Sequence, residues 1–121
     1  YLYDIINEYS DKLLSKFPKK LNKIFFVCTG SEANDLAYRI AQTYTKAKDV
    51  FVIDNAYHGH TNSLIDLSPY KFDGKGGLGK KKHVHVLEMP DPLRGKWQYK
   101  NKDWIKKYIR DAKQNSTSLF K

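Results

Sequence analysis

The chain has 121 residues and a formal net charge of +9, and 40% of its residues are hydrophobic, which is enough for the core of one modest domain. No stretch approaches the roughly eighteen apolar residues of a membrane-spanning helix, and the single cysteine excludes an internal disulfide bond. We therefore expect an intracellular protein with no membrane span, and mitochondrial and cytoplasmic locations both stay open. Because the chain begins with Tyr1 and its only methionine is Met89, we also expect a piece of a longer protein.

The excess positive charge lies in the second half of the chain. Residues 71–121 contain 14 of the 22 lysines and arginines but only 5 of the 13 acidic residues. A lysine-rich half can bind nucleic acid, but no RNA- or DNA-binding signature accompanies this one. We favour a solvated basic face and keep open the alternative of a non-catalytic module that binds nucleic acid or another acidic partner.

The first predicted element is an amphipathic helix over residues 2–17, which Pro18 ends. Apolar side chains recur there every three or four residues, with charged ones between them. They are Leu2, Ile5, Ile6, Tyr9, Leu13 and Phe17. A short polar link follows over residues 19–22.

The apolar run Lys23–Cys28 is predicted to be a strand buried on both faces, because it is rich in aromatic and β-branched residues and alternates little. A helix is predicted directly after it. Thr29 and Glu32 have the spacing of a capping box, so this helix should begin within a residue or two of Gly30.

Gly30 and Ser31 form a candidate phosphate site. A small-residue turn from a strand into a helix directs free backbone N–H groups and the positive end of the helix dipole at one point. The alternative is an ordinary helix start without a ligand. No lysine follows the glycine, and the spacing fits neither the nucleotide P-loop nor the dinucleotide fingerprint. We therefore expect a phosphate on something other than an ordinary nucleotide.

The helix is predicted to cover residues 32–45 and to lie close against a sheet, because alanines at positions 33, 37 and 41 form a small-residue stripe. A second continuous apolar run, Val50–Ile53, follows it. The separation of the two runs is enough for a crossover helix, which predicts a parallel βαβ unit with a right-handed connection.

Residues 54–61 leave the carboxyl end of the second predicted strand. Ligands of open parallel sheets bind beyond the carboxyl ends of the strands, so we expect this loop and the Gly30 turn to lie side by side. The loop offers an aromatic ring, Tyr57, and an imidazole, His58. A flat ligand with its phosphate at Gly30 would present its ring to Tyr57 for stacking. The alternative is a partly buried loop tyrosine.

The remainder of the chain predicts one more strand and one more helix. Residues 61–67 should form a short helix or turn, residues 68–79 an exposed glycine-rich loop, His83–Leu87 a third strand and residues 89–99 an irregular connection. An amphipathic helix is predicted over residues 102–113, with its inward side chains being Trp104, Ile105, Tyr108 and Ile109.

The four histidines occur as two His-X-His pairs, at 58/60 and 83/85, which raises the question of a metal site. No carboxylate stands at a familiar spacing from either pair, and no His-Glu-X-X-His helix is present. We expect no metal site and interpret His83 and His85 as ordinary strand residues. Cys28, at the end of a buried strand, is expected to belong to the core rather than to act as a nucleophile.

Two motifs together resemble a known family. Thr-Gly-Ser-Glu-Ala-Asn at 29–34 and Tyr-His-Gly-His at 57–60 are similar to the large domain of class III pyridoxal-phosphate-dependent aminotransferases. The resemblance covers roughly residues 1–100. It implies an α/β fold, namely a partial large domain of the PLP-dependent transferases (aspartate aminotransferase-like, fold type I) with parallel βαβ units. It also implies pyridoxal 5'-phosphate (PLP) as cofactor, with Gly30 and Ser31 at its phosphate, Tyr57 stacked on its ring and His58 beside the ring.

The same resemblance implies three parts and a branch of the family. Residues 1–22 are an N-terminal helix and linker, residues 23–100 the βαβ cofactor-binding part, and residues 101–121 a C-terminal helix and tail. Segments 63–72 and 90–97 are similar to the branch that contains ethanolamine-phosphate phospho-lyase and alanine–glyoxylate aminotransferase 2-like proteins. The implied activity is phospho-lyase, acting on a phosphorylated amine such as ethanolamine phosphate, or transaminase.

The family's Schiff-base lysine and the aspartate that faces the pyridine nitrogen have no counterpart in the chain. We therefore expect no catalytic residue here and an inactive piece of an active parent enzyme. The implied partners are a small-molecule amine or amino-acid substrate and, for the parent, a second copy in a homodimer. A truncated product that does not fold stays open as well, because a partial sheet exposes its edges.

Overall fold

The structure, a computed structural model, describes residues 3–118. Its elements are, in chain order, α1 (Asp4–Leu14), α2 (Gly30–Thr45), β1 (Val50–Ile53), α3 (Asn62–Asp66), α4 (Pro69–Phe72), β2 (Val84–Leu87) and α5 (Trp104–Ser118). Within the described residues, no helix is long and apolar enough to cross a bilayer.

The two strands form a parallel sheet. Val50 pairs with Val84, and the register continues to Ile53 opposite Leu87. A parallel pair needs a crossover connection, and α3 and α4 lie on the connection here. The predicted α/β class with parallel strands is confirmed, and the strand predicted over His83–Leu87 is present as β2.

One apolar cluster holds the crossover on the sheet. It consists of Val52, Leu64, Leu67, Phe72 and Val84, which come from β1, α3, the following turn, α4 and β2. Full burial of such a side chain contributes about 1.5–3 kcal/mol relative to its exposed state. The stable centre of the molecule therefore lies between the two strands and their connection.

The exposed loop predicted over residues 68–79 is wrong in its first half. Ser68, Pro69 and Phe72 are buried, because Pro69 occupies the first turn of α4 and Phe72 then fills the core. Residues 73–79 are exposed as predicted.

The strand predicted over Lys23–Cys28 is wrong, since residues 21–27 have no regular secondary structure. Phe25 is 68% exposed, and Cys28 is exposed rather than part of a core. An extended segment becomes a strand only where a neighbour exchanges backbone hydrogen bonds with it, and the sheet of the described residues contains only β1 and β2. The βαβ unit predicted from Lys23–Cys28, α2 and Val50–Ile53 is therefore absent. The observed parallel unit begins with β1 and ends with β2.

Helix α1 is shorter than predicted. It ends at Leu14, where the N–H of Ser15 donates to the carbonyl oxygen of Asp11. Phe17 lies beyond the helix, because Pro18 disfavours the helical conformation in the residue before it. Leu2, where the predicted helix begins, lies outside the described residues.

Helix α2 begins where it was predicted. Thr29 Oγ1 accepts from the N–H of Glu32 at 3.1 Å, and Glu32 Oε2 accepts from the N–H of Thr29 at 3.1 Å, which completes the capping box. The expected packing of the alanine stripe on a sheet is wrong, since no residue of α2 is buried. The strand that the stripe was expected to cover is not formed. Instead, α2 reaches the core cluster through Tyr38, and burial raises the pKa of this phenol.

Helix α5 packs through Tyr108, which is buried. Its ring lies edge-on to Trp97 and Trp104, with centroid distances of 4.8 and 6.2 Å, and its hydroxyl accepts from the N–H of Trp97. Ile105 and Ile109 were predicted to face inward, but they are 55% and 50% exposed. The contact between α5 and the turn at Trp97 is narrow and uses only the face of α5 that carries Tyr108. The side chains of these two isoleucines therefore lie outside this contact.

Asp91 organises the connection between β2 and α5. Its Oδ1 accepts from the N–H groups of Leu93 at 2.7 Å and Arg94 at 3.1 Å. These backbone hydrogen bonds hold the pKa of the Asp91 carboxyl below its ordinary value. The connection over residues 89–99 contains no helix or strand, as predicted.

Candidate functional site

The N-terminus of α2 lies against the loop that follows β1. His60 Nδ1 lies 2.9 Å from Ser31 Oγ, and the backbone N–H of His60 donates to the same oxygen at 3.3 Å. One turn further along α2, Asn34 Nδ2 donates to the carbonyl oxygen of His58 at 2.8 Å. The predicted meeting of the two segments is therefore observed, although only one of them follows a formed strand.

Gly59 permits this close approach. Its φ is +143°, and a Cβ atom at this position would lie 2.8 Å from Ser31 Oγ and 2.7 Å from Leu64 Cδ1. Both the backbone conformation and the space therefore require glycine. The loop can lie this close to α2 only because residue 59 has no side chain.

Two backbone amides of α2 are open beside this contact. The N–H of Glu32 is bonded to Thr29 Oγ1 and that of Ala33 to Thr29 O, whereas the N–H groups of Gly30 and Ser31 have no acceptor among the described residues. A Cβ atom at Gly30 would meet nothing within 4 Å, so no other segment of the described residues packs on that side of Gly30. Open amides at the positive end of a helix dipole suit an anion.

Tyr57 presents an accessible ring on the loop that contacts this helix end. Its side chain is 50% exposed, and its ring meets that of Tyr70 edge-on at 6.3 Å. Lys71 Nζ lies 5.8 Å from the Tyr57 centroid and 5.3 Å from the Tyr70 centroid. Tyr70 and Lys71 were not among the predicted site residues. Pro69 could have indicated them, because proline can start a short helix. The glycines after Phe72 led instead to the prediction of a loop.

His58 is held by its backbone on both sides. Its N–H donates to Ser68 Oγ at 3.0 Å, and its carbonyl oxygen accepts from Asn34. Its ring Nε2 is buried and has no hydrogen-bond partner within the described part of the chain. A buried polar nitrogen without a partner is costly, so His58 Nε2 lowers the stability of the loop.

The other histidines divide between the site and the sheet. His60 belongs to the site through Ser31, which the sequence-based prediction missed because the His-X-His pair was considered only as a metal signal. His85 lies in β2 and its Nε2 is 2.8 Å from Asp49 Oδ1, whereas His83 precedes the strand. No metal-binding group of three His, Cys, Asp or Glu residues is found within residues 3–118.

The residues present fit the phosphate and the ring of PLP, but they do not complete its site. Two open amides and an accessible phenol ring lie on segments that Ser31 and His60 hold together. No lysine follows directly on either described strand, since Asp54 comes after β1 and Glu88 after β2. Neither of these two strand ends therefore carries a lysine amine that could bond covalently to the cofactor.

Comparisons with known proteins give one consistent family. The model of the family described as aminotransferase class-III matches residues 1–118. An alanine–glyoxylate aminotransferase 2-like protein of Drosophila melanogaster is 47% identical over 97 residues, which cover 80% of this chain and 20% of that protein. Ethanolamine-phosphate phospho-lyase homolog 1 of Caenorhabditis elegans is 46% identical over 91 residues, covering 75% of this chain and 19% of that protein.

A solved structure agrees with these relatives. A phospholyase from Arthrobacter, in complex with phosphoethanolamine, matches 98% of this chain and 27% of its own chain with a TM-score of 0.75 and 32% identity. The present chain spans about a fifth of the length of the curated relatives named above. Some further relatives are named as mitochondrial proteins.

Proposed function

The chain belongs to the class III aminotransferase family, and on this premise we propose that residues 23–100 are the PLP-binding part of an enzyme that acts on amines or amino acids. The observation that carries this function is the contact between Ser31 and His60, which brings the open end of α2 to the loop of Tyr57. A phosphate and an aromatic ring on one small ligand need their partners on segments that lie in contact.

Each site residue has a role toward the cofactor. Gly30 and Ser31 hold the phosphate through their backbone N–H groups, at the positive end of a helix of 16 residues. Tyr57 covers the pyridine ring with its half-exposed phenol, and His58 lies beside the ring with its backbone held on both sides. PLP, when bound, supplies an electron-accepting ring that stabilises negative charge on the substrate carbon.

The reaction that we favour is β-elimination of phosphate from a phosphorylated amine such as ethanolamine phosphate. Its support is the likeness of 98% of the chain to a phospholyase solved with phosphoethanolamine. Amino transfer is the second candidate, because the Drosophila relative at 47% identity carries an aminotransferase name. The binding residues described above serve both reactions, since both need the cofactor in the same place.

The parent protein completes the site in this proposal. It supplies the Schiff-base lysine and the aspartate for the pyridine nitrogen, it is an intracellular homodimer, and its substrate is a small amine or amino acid. The 121-residue chain contains no proposed catalytic residue. The competing hypothesis is a basic module that binds nucleic acid or another acidic partner, and it predicts salt-dependent RNA binding that PLP does not change.

Cofactor binding is tested by titrating PLP into the 121-residue chain and following the ³¹P resonance of its phosphate. Ser31→Pro removes one of the two amides, and proline is tolerated in the first turn of a helix. Ser31→Ala is the matched control, because it removes the hydroxyl but keeps the amide. We expect Ser31→Pro to weaken PLP binding about tenfold relative to Ser31→Ala, the size of a lost hydrogen bond to a charged group. Equal affinities in the two variants, with unchanged circular dichroism, would contradict the phosphate role.

The reaction is tested in a chimera in which residues 1–118 replace the matching segment of the Drosophila relative. Release of inorganic phosphate from ethanolamine phosphate identifies the lyase. Transfer of an amino group to glyoxylate without phosphate release identifies the aminotransferase. A chimera that binds PLP and does neither rules out both activities.

A further inference from the structure

We propose that Lys71 determines substrate specificity at this site, by binding with its ammonium group the phosphate of a phosphorylated amine beside Tyr57. This role rests on the proposed function and adds the group that recognises the substrate. Three features of the described residues lead to it: the attachment of α4 to the Tyr57 loop, the absence of an ion pair at Lys71 among the described residues, and the position of the proposed partners for the cofactor phosphate on another helix.

Helix α4 is attached to the loop of Tyr57 by two hydrogen bonds. Ser68, which is 0% exposed, accepts the N–H of His58 at 3.0 Å, and the N–H of Tyr70 donates to the carbonyl oxygen of Ala56 at 3.2 Å. These bonds join the residues on both sides of Tyr57 to the residues immediately before Lys71. The backbones of Tyr57 and Lys71 are therefore held close to each other.

The anchoring extends below α4 into the core. Ser68 Oγ also donates to the carbonyl oxygen of Leu64 at 2.6 Å, and Pro69 and Phe72 are buried. Tyr70 and Lys71 are thereby left on the exposed side of a four-residue helix whose other side chains are packed. An exposed lysine on an ordinary loop would lack this fixed backbone.

The ammonium group of Lys71 is held by aromatic rings and has no anionic partner. Its Nζ lies 5.8 and 5.3 Å from the centroids of Tyr57 and Tyr70, which is within the range of a cation–π contact. Among the described residues, no carboxylate forms an ion pair with it, whereas Lys81 and Lys106 each have one ion pair and Lys96 has two. Contacts with ring faces leave N–H donors of the ammonium group available for a ligand.

A phosphate monoester is the anion that suits this position. It carries a charge of about −1.5 to −2 at neutral pH and three strong acceptor oxygens, and lysine binds phosphate as a point charge. In ethanolamine phosphate only two carbons separate the amine from the phosphate ester. A substrate whose amine reacts at a cofactor ring covered by Tyr57 would therefore place its phosphate near that ring, where Lys71 lies.

The cofactor also carries a phosphate, and the proposal gives the two phosphates partners on different helices. The open amides of Gly30 and Ser31 lie at the start of α2, whereas Lys71 lies on α4. Loss of the Lys71 charge should therefore weaken substrate binding without weakening PLP binding. A merely structural cation–π contact predicts a small loss of stability and no change for either ligand.

The test is a nuclear magnetic resonance titration of the 121-residue chain with phosphoethanolamine, with ethanolamine as the matched ligand without phosphate. Lys71→Gln removes the charge, Lys71→Arg keeps it, and Lys75→Gln removes an exposed lysine from the adjacent loop. We expect phosphoethanolamine, but not ethanolamine, to shift the signals of Tyr57 and residue 71. The apparent affinity should fall about tenfold in Lys71→Gln, recover largely in Lys71→Arg and stay unchanged in Lys75→Gln.

A parallel PLP titration separates this inference from the proposed function. If PLP binds and Lys71→Gln titrates with phosphoethanolamine like the wild type, the role of Lys71 is refuted and the cofactor site stands. If PLP does not bind but Lys71→Gln still abolishes the phosphoethanolamine shifts, the cofactor site is refuted and the phosphate role stands. If Lys71→Gln weakens PLP and phosphoethanolamine equally, Lys71 binds phosphate esters without distinction and its role in substrate specificity is refuted.

Discussion

Ser31 and His60 are joined by a contact of 2.9 Å between Oγ and Nδ1, although 29 positions separate them in the sequence. Neither residue lies in a strand. The start of α2 and the loop after β1 are therefore held together by side chains and by a close backbone approach, not by adjacent strands of one sheet. The integrity of the candidate site consequently depends on a few residues at this contact.

Gly59→Ala should be strongly destabilising. The new methyl group would enter the space of Ser31 and Leu64, and φ of +143° is a conformation that other residues rarely adopt. We expect a loss of about 2–4 kcal/mol in the free energy of unfolding, measured by urea denaturation. Gly76→Ala is the control, because φ is +81° there but a Cβ atom would meet nothing within 4 Å. It should cost only about 1 kcal/mol, and equal losses in the two variants would argue against the close contact.

Ser68→Ala should weaken both the fold and the cofactor site. The substitution leaves the N–H of His58 without its acceptor and removes one of the two donors to the carbonyl oxygen of Leu64, which keeps the N–H of Leu67; an unsatisfied buried N–H costs about 1–3 kcal/mol. Ser10→Ala removes a hydroxyl that bonds only within α1 and should change stability by less than about 0.5 kcal/mol. Thermal unfolding measures the first effect, and PLP titration measures the loosening of the Tyr57 loop. A Ser68→Ala protein as stable as Ser10→Ala would exclude the proposed attachment of α4.

The capping box of α2 should contribute about 1 kcal/mol to the free energy of unfolding. Thr29→Ala removes the acceptor for the N–H of Glu32, whereas Thr29→Ser keeps a hydroxyl at the same position. We expect the alanine variant to unfold at lower urea concentration and the serine variant to remain close to the wild type. If serine is no better than alanine, the methyl group of Thr29 and not its hydrogen bond stabilises the helix start.

Asp91 should make stability depend on pH in the acid range. Backbone hydrogen bonds from Leu93 and Arg94 lower the pKa of its carboxyl in the folded state, so the fold favours the ionised form. This contribution is fully present above the unfolded pKa of about 3.9 and is lost as the pH falls through the lower pKa of the folded state. The wild type should therefore be more stable than Asp91→Asn near neutral pH, and the two should converge in acid.

The control for this titration is Asp73→Asn, in the exposed glycine-rich loop. Unfolding curves recorded from pH 7 to pH 2 compare each variant with the wild type. A difference between wild type and Asp91→Asn that persists unchanged at the lowest pH would show that shape, and not charge, explains the effect of Asp91.

The elements that were predicted correctly depend on residues close together in the sequence. The capping box at Thr29 needs only the next three residues, and β1 coincides with a short apolar run. The family was recognised from two short motifs for a related reason, since each motif contains its half of the candidate site within a few consecutive residues. The contact of Ser31 with His60 then joins the two halves.

The incorrect predictions depend on partners that are distant in the sequence. Lys23–Cys28 has the composition of a strand, but none of the described strands pairs with it. Ile105 and Ile109 have helical spacing, but α5 packs through the narrower stripe of Tyr108. His60, Tyr70 and Lys71 entered the site only because Gly59 and Ser68 allow their segments to approach α2 and the Tyr57 loop.

The amino-acid sequence by itself determined the start of α2, the apolar runs from which strands can form, the family and the residues proposed to hold PLP, because caps, apolar runs and binding motifs act over a few consecutive positions. Only the tertiary structure decided which apolar runs become paired strands, which helix faces are covered, and that Lys71 lies beside Tyr57. These features require atoms from separate segments to meet, and neither composition nor spacing specifies which segments do so.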